Sequence, residues 1–306
     1  MLPEDLYQTY EDIYFNRILY SLFDHLMKIL PISSDSMGVR SMATFVETND
    51  CKIVIDPSAA LGPKRYGLPP HQKETEMLQR TKQQIKKYVE QSDILVISHY
   101  HYDHYAPEET FYNDKTVYAK DINRDINKSQ KQRGMDFKQQ VEGTCELIYS
   151  DHTTRSVGDT KLIFSPPFFH GPENTKLGRV IMTVVDDGEK TLIHASDVQG
   201  PMTNDATTFI IDHKPDVLIM DGPPTLFLGW KMSAQQFKGA EENLLKIIKE
   251  TGCKVILDHH LLRDLKYKER CSGPYTLEKD VVQTFAEYLG KENNMLEAQR
   301  KQLWNK

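Results

Sequence analysis

Cysteine is scarce in this 306-residue chain: Cys51, Cys145, Cys253 and Cys271 are scattered, with no C-x-x-C spacing. They read as reduced thiols of a cytoplasmic protein, although four can in principle pair. Long apolar runs are missing too; none approaches the roughly 18–20 residues that span a bilayer. The opening residues MLPEDLYQTYEDIY are acidic and aromatic, where a secretory signal would be basic and then apolar. Positive charge is not in excess: 38 Lys and Arg against 44 Asp and Glu leave a net charge of −6. That balance argues against strong nonspecific attraction to nucleic acid, while leaving room for a local basic cleft. No internal repeat or low-complexity tract is present. What remains, 39% hydrophobic and 27% charged residues, is the composition of a globular protein with a sizeable core.

Residues 1–26 place Leu6, Tyr7, Tyr10, Tyr14, Ile18, Leu22 and Leu26 at helical spacing. They read as an added amphipathic helix or as an over-long start, with a compact domain running over 27–306. From Met27, short β-branched runs alternate with helical segments. Strands are expected at 41–47, 52–56, 94–98, 116–119, 146–149, 161–164, 179–185, 191–194, 217–220 and 254–258. TNDCK and DDGEK read as hairpin turns. Helices are expected over 73–91, over 233–250 behind a Ser233-x-x-Gln236 capping box, and over 276–289 before Gly290. DINRDINKSQKQRGMDFKQQ reads as a polar surface excursion. The balance is an α/β fold with many strands and helices outside them.

One stretch stands apart. SHYHYDHY, residues 98–105, sets His99, His101, Asp103 and His104 directly after the apolar run ILVI. Imidazoles and carboxylates are poor core material, and crowding them at a strand end costs solvation unless something binds them. On extended backbone, H-x-H turns both rings to one side, so His99 and His101 can share one ion. Asp103 and His104 follow where the chain turns and can serve a second. Nitrogen and oxygen ligands of this kind suit zinc, completed by a ligand from elsewhere and water. Three further strand ends qualify as sources: His170 in FSPPFFHG, Asp197 in TLIHASDVQG, and His259 with His260 in VILDHHLLRD.

Taken in order, H99-Y-H101-Y-D103-H104, His170, Asp197 and His259 resemble the metallo-β-lactamase-fold metal hydrolases, over about Met27 to at least Arg263. MGVRSMATFVE, IDPSAALGPKRYGLPPH, ASDVQGP, DGPPT and DHHLLRD further resemble a branch of predicted archaeal metal hydrolases. The resemblance implies a four-layer αβ/βα sandwich: two facing mixed sheets, helices outside, and two divalent metal ions at one edge. His99, His101 and His170 would hold the first metal. Asp103, His104 and His259 would hold the second, with Asp197 bridging. Asp56 would orient the metal loop from behind. His259 is chosen over His260 because VILDH places it where the family's strand ends; His260 would then support a ligand or face substrate. Asp221 of DGPPT could orient a ligand histidine or cap its turn. Redox members with iron generally carry Glu at the second motif histidine, so His101 favours Zn2+ and hydrolysis, with Mn2+ or Fe2+ compatible.

The expected activity is hydrolysis of an ester or phosphodiester by water activated between two metals, with Asp103 in a secondary catalytic role. Ser98 and Ser196 read as turn residues rather than nucleophiles. Lys64 and Arg65 of GPKRYGLPPH, and Arg263, could receive an anion, which favours a small or medium anionic substrate. A metal-dependent RNA or DNA nuclease is the next reading; a basic exosite or large inserted domain, usual in such enzymes, is not evident. A noncatalytic metal-binding protein on the same scaffold is the third. His194, on a strand, reads as a packed core group, and no membrane partner is expected.

Overall fold

The computed structural model describes residues 27–305. The helix expected over residues 1–26 lies outside them.

Fifteen strands are found among the described residues. In the first sheet β1 (Lys28–Pro31), β2 (Thr44–Glu47), β3 (Lys52–Ile55), β4 (Ile94–Ile97), β5 (Thr116–Ala119) and β6 (Glu146–Tyr149) stand side by side in chain order. The β1–β2 and β2–β3 pairs are antiparallel; β3 to β6 run parallel. β7 (Thr153–Val157) and β8 (Thr160–Phe164) open the second sheet, and β9 (Phe168–Phe169) pairs apart with β10 (Arg179–Val180). The second sheet continues through β11 (Thr183–Asp186), β12 (Thr191–His194), β13 (Val217–Met220), β14 (Lys254–Leu257) and β15 (Val282–Gln283), in the order β15-β14-β13-β12-β11-β8-β7. Its β12 to β15 are parallel.

The period of two along each strand explains how the layers stack. In β4, Ile94 and Val96 join a core that also contains Leu192, Val217, Ile219 and Ile256 of the second sheet. Their neighbours Leu95 and Ile97 point away, against Ile85 and Val89 of α1 (Gln72–Glu90) and Phe137 and Val141 of α2 (Lys128–Val141). In β13, Leu218 and Met220 likewise turn outward, under Ala206 and Ile210 of α3 (Asn204–Asp212) and Leu244 and Ile247 of α4 (Ala234–Thr251). Such strands are buried on both faces, which is why ILVI and VLIM read as unbroken apolar runs. The result is the four-layer αβ/βα sandwich that the resemblance implied.

Several expected elements are corrected. The polar stretch around residues 121–140 is not a loose excursion but contains α2. Its buried positions include Gln130 and Gly134 as well as Phe137 and Val141, which dilutes the apolar signal on that face. The helix expected over 276–289 shrinks to Phe285–Tyr288, because Val282–Gln283 pair with β14 as an edge strand. The run 179–185 splits into β10 and β11. At the break the Ile181 N–H donates to the Ser98 carbonyl and the Met182 N–H to Ser165 Oγ, so the chain changes sheets there. The Ser233–Gln236 capping box forms as expected.

Candidate metal centre

The parallel strands aim their carboxyl ends at one edge, where open α/β sheets place their ligands. Asp56 follows β3, His99 follows β4, Asp197 follows β12, Asp221 follows β13, and His259 follows β14. At three of these ends the backbone turns into the left-handed region: Asp56 at φ 51°, Ser196 at φ 51° and His259 at φ 45°. Non-glycine residues held this way cost roughly 1–2 kcal/mol each and cluster where function over-determines geometry.

The residues expected to bind metal converge. Ligand atoms of His99, His101, His170 and Asp197 lie within 4.8 Å of one another, as do those of Asp103, His104 and His259. Asp197 belongs to both neighbourhoods. Its Oδ2 is 3.5 Å from His99 Nε2, 3.0 Å from His170 Nε2 and 3.2 Å from His104 Nε2, and its Oδ1 is 3.6 Å from His259 Nε2. Donors each about 2.1 Å from a tetrahedral zinc would stand roughly 3.4 Å apart. His101 presents Nδ1, 3.0 Å from His99 Nε2. His259 Nε2 also lies 3.6 Å from Asp103 Oδ2, whereas His260 groups only with Asp197 and His259.

Five of the six rings are oriented from behind. His104 Nδ1 donates to Asp56 Oδ2 at 2.8 Å. Asp56 in turn accepts the Ser98 N–H and the hydroxyls of Ser98 and Ser196, so both serines hold the carboxylate rather than only shaping turns. His99 Nδ1 lies 3.0 Å from Ser98 Oγ. His259 Nδ1 meets Asp35 Oδ2 at 2.7 Å, and His260 Nδ1 meets Asp221 Oδ2 at 2.6 Å. Gln199 sets its amide 3.4 Å from His170 Nδ1. It comes that close because Gly171 has no side chain: a Cβ there, at φ 95°, would fall 2.5 Å from Gln199 Oε1. Where Nδ1 faces a carboxylate, as in His104, His259 and His260, it donates and leaves the Nε2 lone pair free, the arrangement that raises a ligand's basicity.

Burial pulls His99 well below the ordinary imidazole range and His101 down to about 3, so both rings stay neutral. At His104 burial acts the same way, but the Asp197 and Asp56 carboxylates outweigh it and push the ring well up. Burial opposes ionisation of Asp197, yet the surrounding imidazoles, His104 foremost, hold its carboxyl well below the usual range. His104 Nε2 and Asp197 Oδ1 are buried with no hydrogen-bond partner among the described residues. Unsatisfied buried groups of this kind require an explanation, and a cation between them is one that fits the donor set.

A cavity of about 370 Å3 opens over the cluster, with His101, Asp103, His170 and Asp197 at its base and Arg40, Arg133 and Arg263 on its walls. Lys64 and Arg65 are not among the lining residues. Lys64 is exposed, and Arg65 Nη2 is spent on the Arg263 carbonyl at 3.0 Å. Arg263 is buried: Nε donates to Asp35 Oδ1 at 3.1 Å, while Nη2 lies 3.0 Å from His259 Nε2 and 3.5 Å from Asp103 Oδ2. Arg40 is clamped by both oxygens of Glu297 at 2.6 Å. Arg133 donates to the Tyr100 carbonyl and to Ser129 Oγ and lies over the Tyr102 ring, with no carboxylate partner among the described residues. Asp35, Gln199, Arg40 and Arg133 were not singled out from the sequence. His194 is a core group, with Nε2 3.0 Å from the Met42 carbonyl.

No family model matches the chain. The UPF0282 protein of Korarchaeum cryptofilum is 44% identical over 283 residues, covering 91% of this chain and 94% of that one. The UPF0282 protein of Methanocaldococcus jannaschii is 40% identical over 290 residues, covering 90% and 96%. Among solved structures, the metallo-beta-lactamase fold protein YhfI from Bacillus subtilis is similar at a TM-score of 0.48 and 14% identity, over 76% of this chain and 85% of that chain. With relatives this similar along nearly their whole lengths, the chain belongs to the UPF0282 protein family.

Proposed function

We propose that this protein is a metal-dependent hydrolase that cleaves an ester or phosphodiester in a small or medium anionic substrate. The observation that carries the reading is Asp197, whose two oxygens reach ligand atoms of both donor groups while Oδ1 lacks any hydrogen-bond partner among the described residues. His99, His101, His170 and Asp197 would hold one divalent cation, and Asp103, His104, His259 and Asp197 a second. Zn2+ suits this nitrogen and carboxylate set best, with Mn2+ or Fe2+ compatible, and a pair of such ions supplies Lewis acidity and water activated near neutral pH.

The chain's own groups do the rest. Asp103 is the most open acid of the cluster, its side chain 17% exposed against 2% for Asp197, and is placed to orient a water at the cavity floor. Arg263 and Arg40 are each already paired to a carboxylate, Asp35 and Glu297. Arg133 is therefore the lining cation with charge to spare for a substrate anion. Asp56, Asp35 and Asp221 keep the rings of His104, His259 and His260 in one orientation, so little reorganisation accompanies binding.

The test joins metal analysis to turnover. Purified protein loaded with zinc or manganese should hydrolyse bis-p-nitrophenyl phosphate or a p-nitrophenyl ester, lose that activity to a chelator, and bind less metal as Asp197→Ala. Full metal loading with no turnover across phosphodiesters, esters, thioesters and lactones would leave a metal-binding protein and remove the hydrolase.

A further inference from the structure

A second cavity, of about 560 Å3, adjoins the first and shares Leu177, Gln199 and Phe227 with it. Its character differs. The metal-site cavity is lined by Asp103 and Asp197, whereas the second has no carboxylate in its lining among the described residues. Pro172, Met202, Pro224 and Met232, with the shared Leu177 and Phe227, give it its apolar lining, and Lys176 and Lys231 are its only charged residues among the described ones. Apolar surface stays uncovered beside it. Leu177 is 45% exposed, and Trp230, whose ring lies 5.8 Å from that of Phe227, is 73% exposed. Isolated exposed apolar residues need no explanation, but a pocket of them opening onto a candidate active site marks ligand surface.

We infer that this second cavity receives the apolar part of the substrate, which is therefore an amphiphilic ester: an anionic head at the metal-site residues, joined to an alkyl or aryl group lying against Phe227, Met202 and Met232. The inference rests on the hydrolase reading for the position of the head, and on the second cavity alone for the tail. Phe227 and Leu177, at the junction, separate the two. The side chain of Gln199 lines both cavities, and its amide lies 3.4 Å from His170 Nδ1.

Calorimetric binding of a homologous series to the metal-loaded full chain tests this without requiring turnover. Inorganic phosphate reports the head site, and methyl to hexyl phosphate report the tail site. Each added methylene should tighten binding about fourfold until the cavity is filled, the gain expected for burying one methylene. Met202→Trp, or Thr175→Trp should the first variant not fold, should flatten the series and leave inorganic phosphate unchanged. Affinity independent of chain length in the natural protein overturns the inference, as does a length dependence that survives both substitutions. Length-dependent binding with no measurable affinity for inorganic phosphate would support the apolar cavity and count against the metal-site reading.

Discussion

At the scale of single residues, the centre is built by giving one nitrogen of each supporting imidazole a fixed partner. The most consequential neighbour is Arg263, whose guanidinium lies against the donors of only one of the two groups, 3.0 Å from His259 Nε2 and 3.5 Å from Asp103 Oδ2. No guanidinium contact of this kind is found at His99, His101 or His170 among the described residues. A fixed positive charge a few ångströms from a divalent cation opposes its binding by kilocalories even at a protein-surface dielectric. With two cations bound as proposed, the two positions should therefore fill unequally, the Asp103–His104–His259 position last. Arg263→Gln removes the charge but can still donate to Asp35; its second ion should bind at least tenfold tighter by metal titration. Weaker or unchanged binding would show that Arg263 acts only as a prop for Asp35.

The same scale shows what could be read in advance. His99, His101, Asp103 and His104 are adjacent in the chain, and strand periodicity turns them toward one place. His170, Asp197 and His259 announce themselves as strand-end residues. Asp35 does not: its partner His259 is 224 residues away, and a buried aspartate in SSDSM looks like any turn residue. Lys64 and Arg65 are near Asp56 in sequence, but proximity along the chain is not proximity to the cavity. The chain after Ala60 instead turns Arg65 onto the Arg263 backbone, and Arg40 and Arg133 line the cavity from segments that carry no chemical signature of their own.

At the scale of elements, α2 carries the lesson that a weak hydrophobic face can still be decisive. Gly134 lies in its interior, where alanine would ordinarily favour the helix by about 1 kcal/mol. Here a Cβ would come 2.5 Å from Ile122 Cγ2 and 2.8 Å from the Tyr100 ring. Tyr100 sits between the two histidines of H-x-H and anchors its hydroxyl on the Lys120 carbonyl at 2.7 Å. Gly134→Ala should thus destabilise, by roughly 1–3 kcal/mol for an overpacked site, and loosen the loop that carries His99 to His104. Urea unfolding measures the sign; a stabilised variant would show that Tyr100 yields freely. Strands, by contrast, were legible because β-branched runs buried on both sides leave few alternatives. Edge pieces such as Val282–Gln283 were not, since two residues offer no period to read.

At the scale of the whole molecule, residues 297–300 return across residues 40–74. Arg300, fully buried, pairs with Glu74 of α1 at 2.6 and 2.8 Å and donates to the carbonyls of Gly62 and Leu68. Glu297 clamps Arg40 at the cavity wall. Removing one member of a buried pair strands the other's charge, at about 3–5 kcal/mol, while replacing both by apolar groups is often nearly neutral. Arg300→Met should accordingly lose about that much in denaturant unfolding, and Glu74→Leu combined with Arg300→Met should recover most of it. Equal losses in the single and double variants would place the stability in the carbonyl contacts instead.

The sheets also divide the chain by position: every strand of the first ends by Tyr149, and every strand of the second begins at Thr153 or later. His99, His101, Asp103 and His104 therefore lie on one side of a cut at residues 150–152, and His170, Asp197 and His259 on the other. Neither fragment would own a complete set of donors. A cation captured at that seam would act as a rivet, and its retention would report whether the two halves had mated correctly.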